Sequence, residues 1–184
     1  MIVAITGKIG AGKTTTAEIF AEHGFRVIDV DSIGHELLDI KEVQEKLKAE
    51  FGMKILDKSL KIDRAKLREE VFCSDDKLKK LNSAVHPFLK AKVKEMLSDK
   101  PDNIAVDAAL YHELEIERHA DVTILLTCDI DKVYVRLKSY TKEQILNIIR
   151  NQQTVKKPDY VLDNNGSIDE LKAKVEKVIH EIQP

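Results

Sequence analysis

Two cysteines, Cys73 and Cys128, are all the thiols in 184 residues, and they show no metal-ligand spacing. So few thiols make a disulfide framework unexpected and fit a reducing cytosol best. No apolar run approaches the roughly 20 residues that a membrane-spanning helix needs. No basic stretch precedes the first apolar segment, "IVAIT". A secretory signal is therefore not expected, and a cytoplasmic location is. The chain also lacks a charge excess: 30 Lys and Arg face 32 Asp and Glu. That argues against a general nucleic-acid binder and leaves room for a local cationic patch that holds a small anion. Neither internal repeats nor low-complexity linkers divide the sequence.

What is present is a folded composition, 43% hydrophobic and 34% charged, in a length suited to one domain with small inserted parts. Residues 2–6 read as a strand, 13–23 as a helix stopped by Gly24, and "FRVIDVD" (25–31) as a second strand ending in two carboxylates. This β–α–β order predicts a parallel sheet with right-handed crossovers. From about 32 to 99 the pattern is helical, with Val43, Leu47 and Phe51 spaced i, i+4, i+8. A longer helical region carries Leu78, Leu81, Val85, Phe88, Val93 and Met96, and Pro87 is expected to interrupt it. Strands resume at 103–110 and 121–127. A charged helical stretch follows at 129–153, with Thr141 and Gln144 spaced as a capping box. "DYVLDN" (159–164) reads as the fifth strand. The last helix starts at a second possible capping box, Ser167 and Glu170, and carries an apolar stripe at 168, 171, 175, 178, 179 and 182.

Between the first strand and helix lies "GKIGAGKT", residues 7–14, which fits G-x-x-x-x-G-K-[ST]. The glycines permit tight turns and close backbone approach, and the amides at a helix N-terminus surround phosphate oxygens. The candidate nucleotide-binding residues are Gly7, Gly10, Ala11, Gly12, Lys13, Thr14 and Thr15. Lys13 would reach the β- and γ-phosphates, and the Thr14 hydroxyl would be a Mg²⁺ ligand. Such a loop can serve hydrolysis, sensing or transfer.

The neighbouring residues bear on that choice. Asp29 and Asp31 fall at the end of the second strand, on the side where open α/β sheets bind ligands. A carboxylate there can take a proton from an attacking hydroxyl or hold Mg²⁺ through water, and Asp31 equally suits a helix N-cap. Arg64, Lys66 and Arg68 can bind an acceptor phosphate or form an ordinary solvated helix face. His86, before Pro87, is either a substrate contact or structural. The lysines and arginines of 129–157 read as a solvated face or as a mobile cationic lid.

In order along the chain, "ITGKIGAGKTT", "VIDVDSI", the "IDR" of 62–64, "LNSAVHPF", "VDAALYHE", "IRNQ" and "DYVLDNNGS" resemble the dephospho-CoA kinase family. The resemblance covers nearly the whole chain. It implies an α/β, three-layer P-loop kinase fold: a five-stranded parallel sheet flanked by helices, forming a single domain over 1–184. The core would be about 1–31, 100–128 and 158–184, with a helical CoA-binding insertion at about 32–99 and a lid at about 129–157. It implies ATP and dephospho-CoA as substrates, with Mg²⁺ and phosphorylation of the ribose 3′-hydroxyl. By position, Asp31 matches the family's base. Arg64, His86 and Pro87 match the acceptor region. Arg136 and Arg150 match the lid arginines, with Gln152 completing an R-x-Q. Asp107, at the end of the third core strand, is placed to help position Mg²⁺ or acceptor, or simply to cap the strand. The adenine would lie near "DNNG" (163–166), with Asn164 as its contact.

The chain departs from the family pattern at four places. Tyr140 stands where a second lid arginine is usual, and a tyrosine supplies no permanent charge. Ala109 replaces a proline, while Glu113 is retained. Lys58-Ser59 replaces a usual Asp-Gly, and Lys8 a usual glycine. The rival readings are another small-molecule or nucleotide kinase and a nucleotide-dependent switch. No N-K-x-D occurs, which weakens a guanine-specific switch.

Overall fold

The computed structural model describes residues 1–72, 74–98, 103–153 and 155–183. Cys73 lies outside them. The chain separates into two compact units, Met1–Asp31 with Glu95–Pro184, and Ser32–Lys94.

The first unit holds a five-stranded parallel sheet in the order β2-β3-β1-β4-β5. Its strands are β1 (Ile2–Gly7), β2 (Arg26–Asp29), β3 (Ile104–Asp107), β4 (Val122–Thr127) and β5 (Tyr160–Asp163). Helices α1 (Lys13–Glu22) and α8 (Ile168–Ile182) pack against one face, where Val3, Ile5, Ala105, Ile124 and Leu126 point. The alternate residues Ala4, Ile104, Val106 and Thr123 are buried too, so the sheet is covered on both faces, as parallel sheets require. Phe20 of α1 is fully buried and meets Phe25 edge-on at 4.8 Å. Burying one such ring stabilises the fold by about 2–3 kcal/mol. The stripe expected on α8 faces this core at Leu171, Val175, Val178 and Ile179, while Ile168, in the first turn, is 66% exposed.

The second strand is shorter than expected. β2 ends at Asp29, and α2 (Val30–Leu37) begins at once, so Asp31 lies in a helical first turn. Asp29 Oδ1 accepts from the Asp31 amide at 3.0 Å, so the capping role suggested for Asp31 belongs to Asp29. The stretch 129–153 is two helices, α6 (Ile130–Arg136) and α7 (Lys142–Asn151). The break falls where the Thr141–Gln144 capping box forms in both directions, since such a box starts a helix. At the head of α8 the Ser167 hydroxyl accepts from the Glu170 amide at 3.2 Å, and the Glu170 carboxylate lies against Gly166.

The second unit is helical: the rest of α2, α3 (Lys41–Phe51), α4 (Arg64–Phe72) and most of α5 (Asp75–Ser98). Val43, Leu47 and Phe51 are buried on α3 as their spacing predicts. The expected break at Pro87 does not occur, and α5 runs through it. Proline in a helix interior costs about 3 kcal/mol. Buried Val85, Leu89 and Val93, spaced by four residues on both sides of Pro87, offset it. Glu70 of α4 bridges Lys54 (2.7 Å) and Lys77 (2.5 Å), joining three elements of this unit and holding its carboxyl below the usual range.

Candidate active site

The phosphate loop leaves β1 at Gly7 and enters α1 at Lys13. Two glycines are set by geometry. A Cβ on Gly7 would strike the Leu126 carbonyl of β4, and Gly12 sits at φ 100° with the Asn164 side chain where its Cβ would be. Lys13 is 9% exposed and folds back over the loop, its Nζ 3.4 Å from the Lys8 carbonyl. Its ammonium thus overlies the loop that would cradle a phosphate. Lys8 is exposed and lines a cavity of about 290 Å³ beside the loop, with Leu126, Val133 and Ile149.

Thr14 connects the loop to the next strand. Its hydroxyl donates to Asp107 Oδ2 at 2.8 Å. Asp107 ends β3, in register with Asp29 on β2 and Ile5 on β1, and is 6% exposed. Burial pushes its carboxyl up to about 6; the Thr14 hydrogen bond and Lys13 oppose the rise, and Asp31 and Asp29 add to it. Because the folded value lies above the unfolded one, Asp107 costs stability as pH rises from about 4 to about 6. A shift of this size corresponds to roughly 3 kcal/mol at neutral pH. Asp107→Asn should therefore raise stability at pH 7 to 8 and leave it unchanged near pH 3. Urea titrations at both ends of that window check the sign.

This geometry also tests the fit of Mg²⁺. A buried carboxylate touching a hydroxyl, with two more carboxylates close enough to raise its pKa, is an oxygen-rich site short of positive charge. Among the described residues no cluster of three or more His, Cys, Asp or Glu forms a cation site by itself. Mg²⁺ does not need one, since it usually keeps waters and takes substrate phosphates as ligands. The donor set fits.

A model of the family described as dephospho-CoA kinase matches residues 1–170. The chain belongs to the dephospho-CoA kinase family. It is 35% identical over 185 residues to the dephospho-CoA kinase of Fusobacterium nucleatum, covering 96% of each chain. Among solved structures, it is similar to a Thermus thermophilus protein at TM-score 0.78 and 28% identity, covering 100% of this chain and 98% of that one. It is also similar to the dephospho-CoA kinase of Campylobacter jejuni at TM-score 0.71 and 27% identity, covering 98% and 96%. The fold is that of P-loop kinases, and the expected five-stranded parallel sheet is present.

Within this kinase the first unit brings together Gly7 to Thr15, Asp31, Asp107, Arg136 and Asn164. Arg64, His86 and Pro87 belong to the second unit, on α4 and α5, where Arg64 donates to the His35 carbonyl at 3.2 Å and lies 3.9 Å from Asp39. The two arginines expected in the lid differ. Arg150, in the last turn of α7, is exposed, and its side chain makes no hydrogen bond or ion pair among the described residues. Arg136, the last residue of α6, donates to the Gly10 carbonyl (3.0 Å), to Cys128 Sγ (3.2 Å) and to Asn164 O and Oδ1 (2.8 and 3.3 Å). Asn164 is 6% exposed, and its Nδ2 donates to the Ala11 carbonyl at 2.8 Å. Gln152 Oε1 accepts from the Ile9 amide at 2.9 Å. Lys142 lies over the Tyr134 ring.

Proposed function

We infer that this chain transfers the γ-phosphoryl group of ATP to the ribose 3′-hydroxyl of dephospho-CoA, giving coenzyme A and ADP, the last step of CoA biosynthesis. Family membership supports the substrate pair. The observation that carries the mechanism is the Thr14–Asp107 contact, which joins the phosphate loop to the carboxylate end of the sheet next to Asp31.

The loop amides and Lys13 hold the β- and γ-phosphates. Thr14 and Asp107 would hold Mg²⁺, and when bound the ion neutralises charge on those phosphates. Asp31 accepts the proton of the 3′-hydroxyl as its oxygen forms a bond to the γ-phosphorus. The bond from the γ-phosphorus to the β–γ bridging oxygen breaks, and ADP carries away that electron pair. Arg150, the exposed cation of the lid segment, meets the charge that spreads over the transferring group. Arg64, His86 and Pro87 bind the acceptor. Asn164 lies beside the loop near the expected adenine, and a cytoplasmic setting matches these substrates.

Incubation with Mg-ATP and dephospho-CoA should give a product one phosphate heavier, modified at the ribose 3′ position. Mass spectrometry with fragment assignment reads this directly. Phosphate appearing on a nucleoside monophosphate instead, with dephospho-CoA untouched, would favour the rival kinase.

A further inference from the structure

Three consecutive residues of the phosphate loop are each bonded through the main chain to a side chain from far along the sequence. The Ile9 amide meets Gln152, the Gly10 carbonyl meets Arg136 and the Ala11 carbonyl meets Asn164. Arg136 and Asn164 are also bonded to each other, twice. The geometry points to Arg136 and Asn164 as positioning residues that set the shape of the loop, acting on the reaction through its main chain rather than by touching phosphate or adenine. This rests on reading residues 7–14 as the phosphate site of ATP.

The donor inventory carries the argument. A guanidinium has four terminal N–H groups and one Nε–H. Arg136 makes four hydrogen bonds from its two terminal nitrogens, to Gly10, Cys128 and the two oxygens of Asn164. No terminal N–H is left to meet a phosphoryl oxygen, whereas Arg150 has all of its donors available among the described residues. Asn164 is similarly committed. Its amide N–H donates to Thr127 O (2.9 Å), its carbonyl and Oδ1 accept from Arg136, and Nδ2 donates to Ala11. It is buried, and it fills the space a side chain on residue 12 would need. The left-handed turn at Gly12 and the brace behind it therefore form one unit. A loop held in this way meets the nucleotide with its amides already aimed, so little ordering cost falls on binding.

The test is calorimetric binding of ADP, ATP and AMP to the full chain, with Arg136→Gln, Arg136→Lys and Asn164→Ala. Arg136 is exposed, so its variants should fold; thermal melts verify this and cover the riskier Asn164→Ala. A brace serves the cradle for the β-phosphate. Each variant should thus weaken ADP and ATP by the same factor, about tenfold or more for a lost charge-assisted bond, and leave AMP unchanged. Lysine should not restore affinity, because a point charge does not span Gly10 and Asn164 as a planar fork does. Weakening confined to ATP, partly recovered by lysine, would make Arg136 a phosphate contact and overturn the inference. Loss of AMP affinity in Asn164→Ala would make Asn164 a base contact and overturn it too, as would unchanged ADP affinity in folded variants. Wild-type chain that failed to bind ADP would instead remove the phosphate-loop reading itself.

Discussion

Lys13→Ala should lower kcat/KM for phosphoryl transfer by about 10³-fold or more, the scale expected when a cation on the transferring group is removed. The loss should be chemical rather than structural. In this structure the Lys13 ammonium makes one long hydrogen bond, 3.4 Å, to a carbonyl of its own loop. The turn of the loop rests on Gly7 and Gly12 and on bonds from Gln152, Arg136 and Asn164, none of which involve the Lys13 side chain. The melting temperature of the variant should therefore stay near that of the parent. Steady-state kinetics with a thermal melt on the same sample checks both halves. Near-normal transfer by a folded Lys13→Ala protein would contradict the assignment of the loop.

Asp31→Asn should reduce the turnover number by roughly 10²–10⁴-fold, the usual contribution of a positioned proton acceptor, with ATP affinity retained. Asparagine keeps the size of the side chain and removes its basicity. The first turn of α2 should survive, because Asp29 rather than Asp31 supplies the capping oxygen. A second carboxylate sharpens the test. Burial pushes the Asp107 carboxyl up to about 6 and the Asp31 charge adds to that rise, so the pH at which Asp107 takes up its proton should move down in Asp31→Asn. A turnover number unchanged by the substitution would remove Asp31 from the base role.

The parts of this molecule that were legible in its sequence are those set by neighbours in the chain. The loop at 7–14 declares itself because strand, glycines, lysine and helix follow one another directly. The stripe of α8 and the capping box at Thr141 are equally local. That box marks the helix start inside 129–153. The strand stops two residues short of Asp31 because the cap at Asp29 starts a helix at Val30, a residue that suits a strand as well as a helix. The brace behind the loop was not legible at all. Its bonds join residues 126, 143 and 153 positions apart. Nothing about an arginine at the end of a charged helix distinguishes a guanidinium bound for backbone carbonyls from one awaiting a phosphate.

The strand order has a consequence for reach. β1 delivers the loop, and β2 delivers Asp29 and, through the first turn of α2, Asp31, but β3 lies between them. With neighbouring strands about 4.8 Å apart, the two delivery lines are separated by about 10 Å. Asp107 stands on the intervening strand, midway across that interval. The loop and the two aspartates thus leave the sheet from strands that do not touch, and a side chain that is to meet both must sit where Asp107 does, at the end of the strand between them.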